Sequence, residues 1–180
     1  MSVDQPLAWR PFPVTASLNI RWWLLHRDSL TRLIQQRCDK FSVEPVFQSL
    51  APACTDELVI LNLRRCELAM VREVYLYCGD TPVVFAHSVV AKKHLCGAWR
   101  GLSRLGNRSL GTMLFTNPMI KRAEFGFKEL NNHHPLFKRA CERLQTPLAS
   151  LWARRSLFRL QGQPILVTEV FLPAILRLKI

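Results

Sequence analysis

The run Gln163–Pro173 constrains this chain more than any other stretch. Read as a strand, its side chains alternate between two faces. Ile165, Val167, Glu169 and Phe171 lie on one face, and Leu166, Thr168, Val170 and Leu172 on the other. Both faces are apolar enough for burial, which leaves the Glu169 carboxylate in the middle of a greasy row. A carboxylate there must be paired, hydrogen-bonded or neutralised, because a bare buried charge costs several kcal/mol or more. Glu169 is therefore either half of a core ion pair, a residue looking out of an open sheet edge, or an acid facing a ligand.

A second strand carries the opposite anomaly. Glu67–Tyr77 alternates, Gly79-Asp80-Thr81-Pro82 turns, and Val83–Val90 returns, which is a hairpin pattern. Arg72 shares a face with Met70, Val74 and Leu76, so a guanidinium also sits in an apolar row. Arg72 could neutralise Glu169 in the core. Its planar fork equally suits two-point recognition of a carboxylate.

Two helix starts add to the picture. Asp28-Ser29 interrupts an apolar segment, and Leu30, Leu33 and Ile34 resume at helical spacing. Ser109 likewise precedes the run Leu110–Phe115. Serine before an apolar-periodic run is an N-cap signal, so Leu30 and Leu110 are first-turn residues whose backbone N–H groups lack intrahelical acceptors. Helix N-termini attract anions for that reason. As side chains, both leucines are core or cavity wall.

Elsewhere, Phe41–Gln48 reads as a strand that Pro45 confines to an edge or bulge. Residues 50–56 read as loop, 58–63 as ambiguous, and 94–105 as weakly helical. Residues 120–130 read as strand, 135–144 as helix, and 151–160 as strand turning through Gln161-Gly162 into the final run. Residues 1–17 are proline-rich and read as an arm.

Composition narrows the classes. A chain of 180 residues, 49% hydrophobic and 21% charged, is the size of one domain and is not disordered. No run approaches the roughly 18 apolar residues of a membrane span, and the N-terminus lacks a signal peptide's apolar core, so an unexported, cytoplasmic protein is expected. The six cysteines form no C-x-x-C pair, and four of them fall within or beside apolar segments, which suits small buried hydrophobes in a reducing compartment. No histidine or cysteine spacing indicates a metal. The net charge of +12 suits an anionic substrate, a nucleic acid or an anionic membrane, but the basic residues are scattered and no nucleic-acid motif is present. There is no P-loop, no G-x-G-x-x-G and no paired nucleophile and histidine.

Several segments together resemble the chorismate lyase family. These are Trp23–Thr31, Val71-Arg72-Glu73-Val74, Leu105–Phe115 (similar to L-G-x-x-x-L-G-x-x-L-F), Leu151–Ser156 and Gly162–Pro173. Leu30 stands where that family usually has methionine, and the segments linking the motifs, especially 38–66, diverge. The resemblance implies a cofactor-independent elimination of chorismate to 4-hydroxybenzoate and pyruvate, the entry to ubiquinone synthesis. It implies that Arg72 and the Leu30 and Leu110 amides hold the ring carboxylate, and that Glu169 contacts the ring hydroxyl. It also supplies the convergence of these four positions, which their spacing alone does not. The same fold serves as the ligand-sensing domain of helix-turn-helix regulators, which is the alternative reading. About 20 residues before the first motif are too few for a DNA-binding head. The expected architecture is α+β: one domain over 1–180, a monomer, with a mostly antiparallel sheet of about six strands covered by helices.

Overall fold

A computed structural model describes residues 8–179. Seven strands form one antiparallel sheet: β1 (Phe41–Pro52), β2 (Leu68–Cys78), β3 (Thr81–Ala91), β4 (Lys121–Arg122), β5 (Gly126–Asn131), β6 (Ser150–Leu160) and β7 (Gln163–Phe171). The order is β1-β2-β3-β7-β6-β4, with β5 also paired to β6. Five α-helices lie around it: α1 (Leu18–Leu25), α2 (Leu30–Gln35), α3 (Leu58–Leu61), α4 (Leu110–Thr116) and α5 (Pro135–Cys141). The α+β expectation holds, with seven strands where about six were expected.

The final run is the central strand β7, between β3 and β6. Its hairpin with β6 closes through Gln161 and Gly162, both at positive φ (51° and 78°). Two left-handed residues make the tight turn whose twist matches paired strands. That turn sets Leu160 opposite Gln163 and so, down the ladder, Arg154 opposite Glu169. The edge and the bulge, read as alternatives at Pro45, both occur. β1 is an edge strand, and its register shifts between Pro45 and Phe47.

Several local expectations change. β1 continues to Pro52, so the supposed loop at 50–56 is half strand. Residues 58–61 are a single helical turn stopped by Asn62 in the left-handed region. The segment 94–105 holds 3-10 turns rather than an α-helix. The strand expected over 120–130 is two strands, broken at 123–125. Of the arm, residues 1–7 lie outside the described residues. The remainder packs on the domain: Arg10 bridges Phe127, and Trp9 Nε1 donates to Asp56 at 2.6 Å.

The cysteine expectation is corrected for one pair. Cys38, just after α2, is bonded to Cys78 at the end of β2, with Cα atoms 5.6 Å apart. A pairing across 40 residues has no local sequence pattern to reveal it. Cys54 is buried as expected, whereas Cys66 and Cys96 are exposed.

Apolar side chains pack on both faces of the sheet. On one face, Val74, Leu76, Val84 and Phe171 meet Ile20, Trp23 and Leu24 of α1 and Leu33 and Ile34 of α2. On the other, Tyr75, Phe85 and Val170 meet Leu136, Phe137 and Ala140 of α5. No described helix is long and apolar enough to cross a membrane.

Candidate active site

Between the first of these faces and the starts of α2 and α4 lies a small cavity of about 50 Å³. Arg72, Glu169, Leu30 and Leu110 all line it. The four positions singled out in the sequence are thus brought together, although they come from four separate elements.

The two helix starts touch. Thr31 Oγ1 and Ser109 Oγ share a hydrogen bond of 2.7 Å. Ser29 caps α2 as expected, accepting from the Arg32 N–H at 3.4 Å. Ser109 occupies the N-cap position of α4, but its side chain does not cap that helix. Gly111 permits the approach. A Cβ there would lie 3.0 Å from Thr31 Oγ1 and 3.3 Å from Ser109 Oγ.

Arg72 is only 2% exposed. Its Nη2 donates to the carbonyls of Gly106 (2.7 Å) and Arg108 (3.1 Å), and its Nε to Gln48 Oε1 (3.1 Å). The guanidinium therefore braces the loop entering α4, which bends through Gly106 at φ 51°. Left-handed backbone is open to glycine without the penalty a Cβ brings. No carboxylate pairs with Arg72 among the described residues, and burial pushes its guanidinium below its ordinary pKa. Nη1 has no protein partner among those residues. The neutralising pair of Arg72 with Glu169 does not form.

Glu169 pairs instead with Arg154, whose Nε lies 2.5 Å from Oε2. Arg154 is fully buried, and its Nη1 donates to the carbonyls of Trp23, Leu24 and His26 at the end of α1. This one side chain satisfies the free carbonyls of a helix C-terminus and offsets the Glu169 charge. The Glu169 side chain remains 18% exposed, toward the cavity that it lines. Sequence reading missed Arg154. The signal was there: counting back from the tight turn at Gln161-Gly162 pairs Arg154 with Glu169.

Arg122 was also missed. It lines the same cavity, stacks over Phe125 at 4.0 Å, and donates to Ser156 Oγ (3.0 Å) and the Arg27 carbonyl (2.6 Å). Burial lowers its pKa to about 10, against the pull of nearby Glu169 in the other direction.

A group with metal-binding atoms lies apart from this cavity. Cys54, Glu57 and His87 place one ligand atom each within 4.8 Å of one another. Most of their polar atoms have partners within the protein. His87 lies between Glu57 (3.1 Å) and Glu73 (2.8 Å), Glu73 also pairs with Arg139, and burial pushes the Cys54 thiol far above its usual pKa. A histidine between two carboxylates, balanced by an arginine, is a charge network in which the histidine and Glu73 are already engaged by protein groups.

An open antiparallel sheet with helices around it and a small cavity lined by two arginines and an acid makes this an α+β domain with a candidate small-molecule site. The fold recurs in solved structures at low identity. The C-terminal domain of the histidine utilization repressor from Pseudomonas syringae is 13% identical with TM-score 0.56, over 78% of this chain and 96% of that one. The effector domain of PhnF from Mycobacterium smegmatis is 11% identical with TM-score 0.54, over 83% and 91%. Likeness at that level concerns the fold alone.

The sequence goes further: the chain belongs to the chorismate lyase family, whose model matches residues 7–179. A protein of Nitrosomonas europaea named "probable chorismate pyruvate-lyase" is 70% identical over 99% of this chain and 100% of its own length. A namesake from Nitrosospira multiformis is 64% identical over 99% of both chains, and one from Thiobacillus denitrificans is 41% identical over 93% and 90%.

Proposed function

We propose that this chain is a chorismate pyruvate-lyase, converting chorismate to 4-hydroxybenzoate and pyruvate at the head of ubiquinone synthesis. Family membership supports the reaction class. The observation that carries the residue assignment is the meeting of Arg72, Leu30, Leu110 and Glu169 on one cavity.

In the reaction a ring C–H proton leaves, the C–O bond to the enolpyruvyl group breaks, and the ring becomes aromatic. The enolpyruvate released takes up a proton to become pyruvate. Aromatisation supplies much of the driving force, so the protein's work is to orient a dianion and manage one proton. Arg72 supplies a desolvated guanidinium with an unpartnered Nη1, and the Leu30 and Leu110 N–H groups complete a cradle for the ring carboxylate. Glu169 meets the ring hydroxyl, fixed in place by Arg154.

The test is purified protein with chorismate, followed by the appearance of 4-hydroxybenzoate and pyruvate. Glu169→Ala is expected to lower kcat by about 100-fold or more while native circular dichroism is kept. Arg72→Ala is expected to weaken 4-hydroxybenzoate binding by about 30-fold or more. Tight binding of 4-hydroxybenzoate without turnover by the native protein would overturn the lyase reading, and unchanged product affinity in Arg72→Ala would remove that residue from the carboxylate cradle.

A further inference from the structure

The cavity holds more cation than one benzoate carboxylate needs, and the sheet register shows how it is distributed. Arg72 on β2 lies opposite Ser88 on β3, Ser88 opposite Val167 on β7, and Val167 opposite Ser156 on β6. All four residues line the cavity, so its floor follows one rung of the sheet. Three strand spacings put the ends of that rung about 14 Å apart at the backbone. Arg72 stands at one end. At the other, Ser156 Oγ accepts from Nε of Arg122, which comes from the next strand, β4. Arg72 and Arg122 thus line the cavity from opposite ends of its floor.

The guanidinium of Arg122 is held on one side only. Nε and Nη1 are engaged by Ser156 and the Arg27 carbonyl, and Nη2 has no protein partner among the described residues. Phe115, Phe125 and Phe158 lie around it, so its position is fixed largely by ring faces. Glu169 is close enough to act on its charge, but Glu169 takes its ion pair from Arg154, and no ion pair joins Glu169 to Arg122. The other charged groups that act on Arg122 are Arg154, Arg27 and Asp28. A pre-positioned arginine with a free N–H beside a committed carboxylate is suited to a second anion.

We infer that Arg122 binds the second carboxylate of a dianionic substrate, the one carried on the leaving enolpyruvyl group. The inference rests on the lyase reading and assigns the far end of the same cavity. When the C–O bond breaks, its electron pair goes to the ether oxygen, and the departing three-carbon fragment holds two negative charges until it is protonated. A guanidinium on that fragment's carboxylate binds substrate and also steadies the charge that grows on the leaving group. 4-Hydroxybenzoate has no such carboxylate, so Arg122 contributes to substrate and transition state but not to the retained aromatic product.

The experiment compares chorismate turnover with 4-hydroxybenzoate binding in Arg122→Gln and Arg122→Lys. Arg122→Gln is expected to lose about 100-fold in kcat/KM with product affinity nearly unchanged. Arg122→Lys is expected to recover part of the loss, because charge returns without the fork. Arg72→Ala serves as the contrast, losing product affinity as well. Product affinity falling in step with kcat/KM in both Arg122 variants would overturn the proposal, since Arg122 would then support the cavity as a whole. An unchanged kcat/KM in Arg122→Gln would overturn it too. If the native protein does not turn chorismate over, the lyase reading fails separately. Arg122 is then judged by whether Arg122→Gln weakens chorismate binding more than 4-hydroxybenzoate binding; equal weakening, or none, overturns the proposal.

Discussion

Arg154 touches more of the site's framework than any residue picked out in the sequence. It offsets Glu169 and holds three carbonyls at the end of α1. Arg154→Met should therefore cost about 3–5 kcal/mol, because it strands a carboxylate in an apolar surround. Urea unfolding measures this, and Arg154→Met combined with Glu169→Gln should regain part of the loss. A cost below about 1 kcal/mol would mean that water already serves Glu169. At this scale the sequence was legible where a charge broke an apolar row, as at Arg72 and Glu169. It was not legible at Arg122. On one continuous strand over 120–130, Arg122 shares a face with Glu124 and Lys128 and looks solvated. The break at 123–125 turns it inward instead.

Among the elements, the seam between α2 and α4 is the most exacting. Both helices are short, of six and seven residues, and they meet through Gly111. In an isolated helix Gly→Ala gains about 1 kcal/mol. Here the added methyl must displace Thr31 Oγ1, which already bonds Ser109. Gly111→Ala should lower Tm despite its better propensity, and adding Thr31→Ala should restore part of it. A thermal-melt double-mutant cycle tests this, and strict additivity would show that the two residues do not press on each other. The start of each helix could be read from its serine and its apolar spacing. Their meeting could not, since it depends on two loops, one pinned by Arg72 and the other leading into the arginine-held end of α1. The β6–β7 hairpin is the opposite case, because its turn residues settled both pairing and register.

For the molecule as a whole, the charge network on the other face of the sheet makes stability depend on pH. Burial alone would lower the His87 pKa, but Glu57 and Glu73 outweigh it and raise the value from 6.5 to about 9. The folded state thus holds this proton more tightly than the unfolded chain. The resulting stabilisation, on the order of 3 kcal/mol, is full below pH 6.5 and is lost as pH rises through about 9. Urea midpoints should fall between pH 7 and 9, and His87→Gln should flatten that slope. The same slope in the variant would exclude His87 as its source. The buried Cys54 thiol works in the same direction only above its unfolded value of 9.0. The α+β class and the antiparallel hairpins were readable because strand alternation and turn residues are local signals. This network was not, because its members are scattered over residues 54–139 and each looks ordinary in its own segment.

The bond from Cys38 to Cys78 has a mechanical consequence. It leashes the roof helix α2, three residues beyond its last turn, to the strand that carries Arg72. That half of the roof cannot lift far from the floor while the leash is intact. The α4 half is fastened near its start by hydrogen bonds, two from Arg72 and one from Thr31, and by Leu110 and Leu114 packing against Trp99 and Phe158. Of the two roof helices, α2 alone is tied by a covalent bond to a strand of the floor among the described residues.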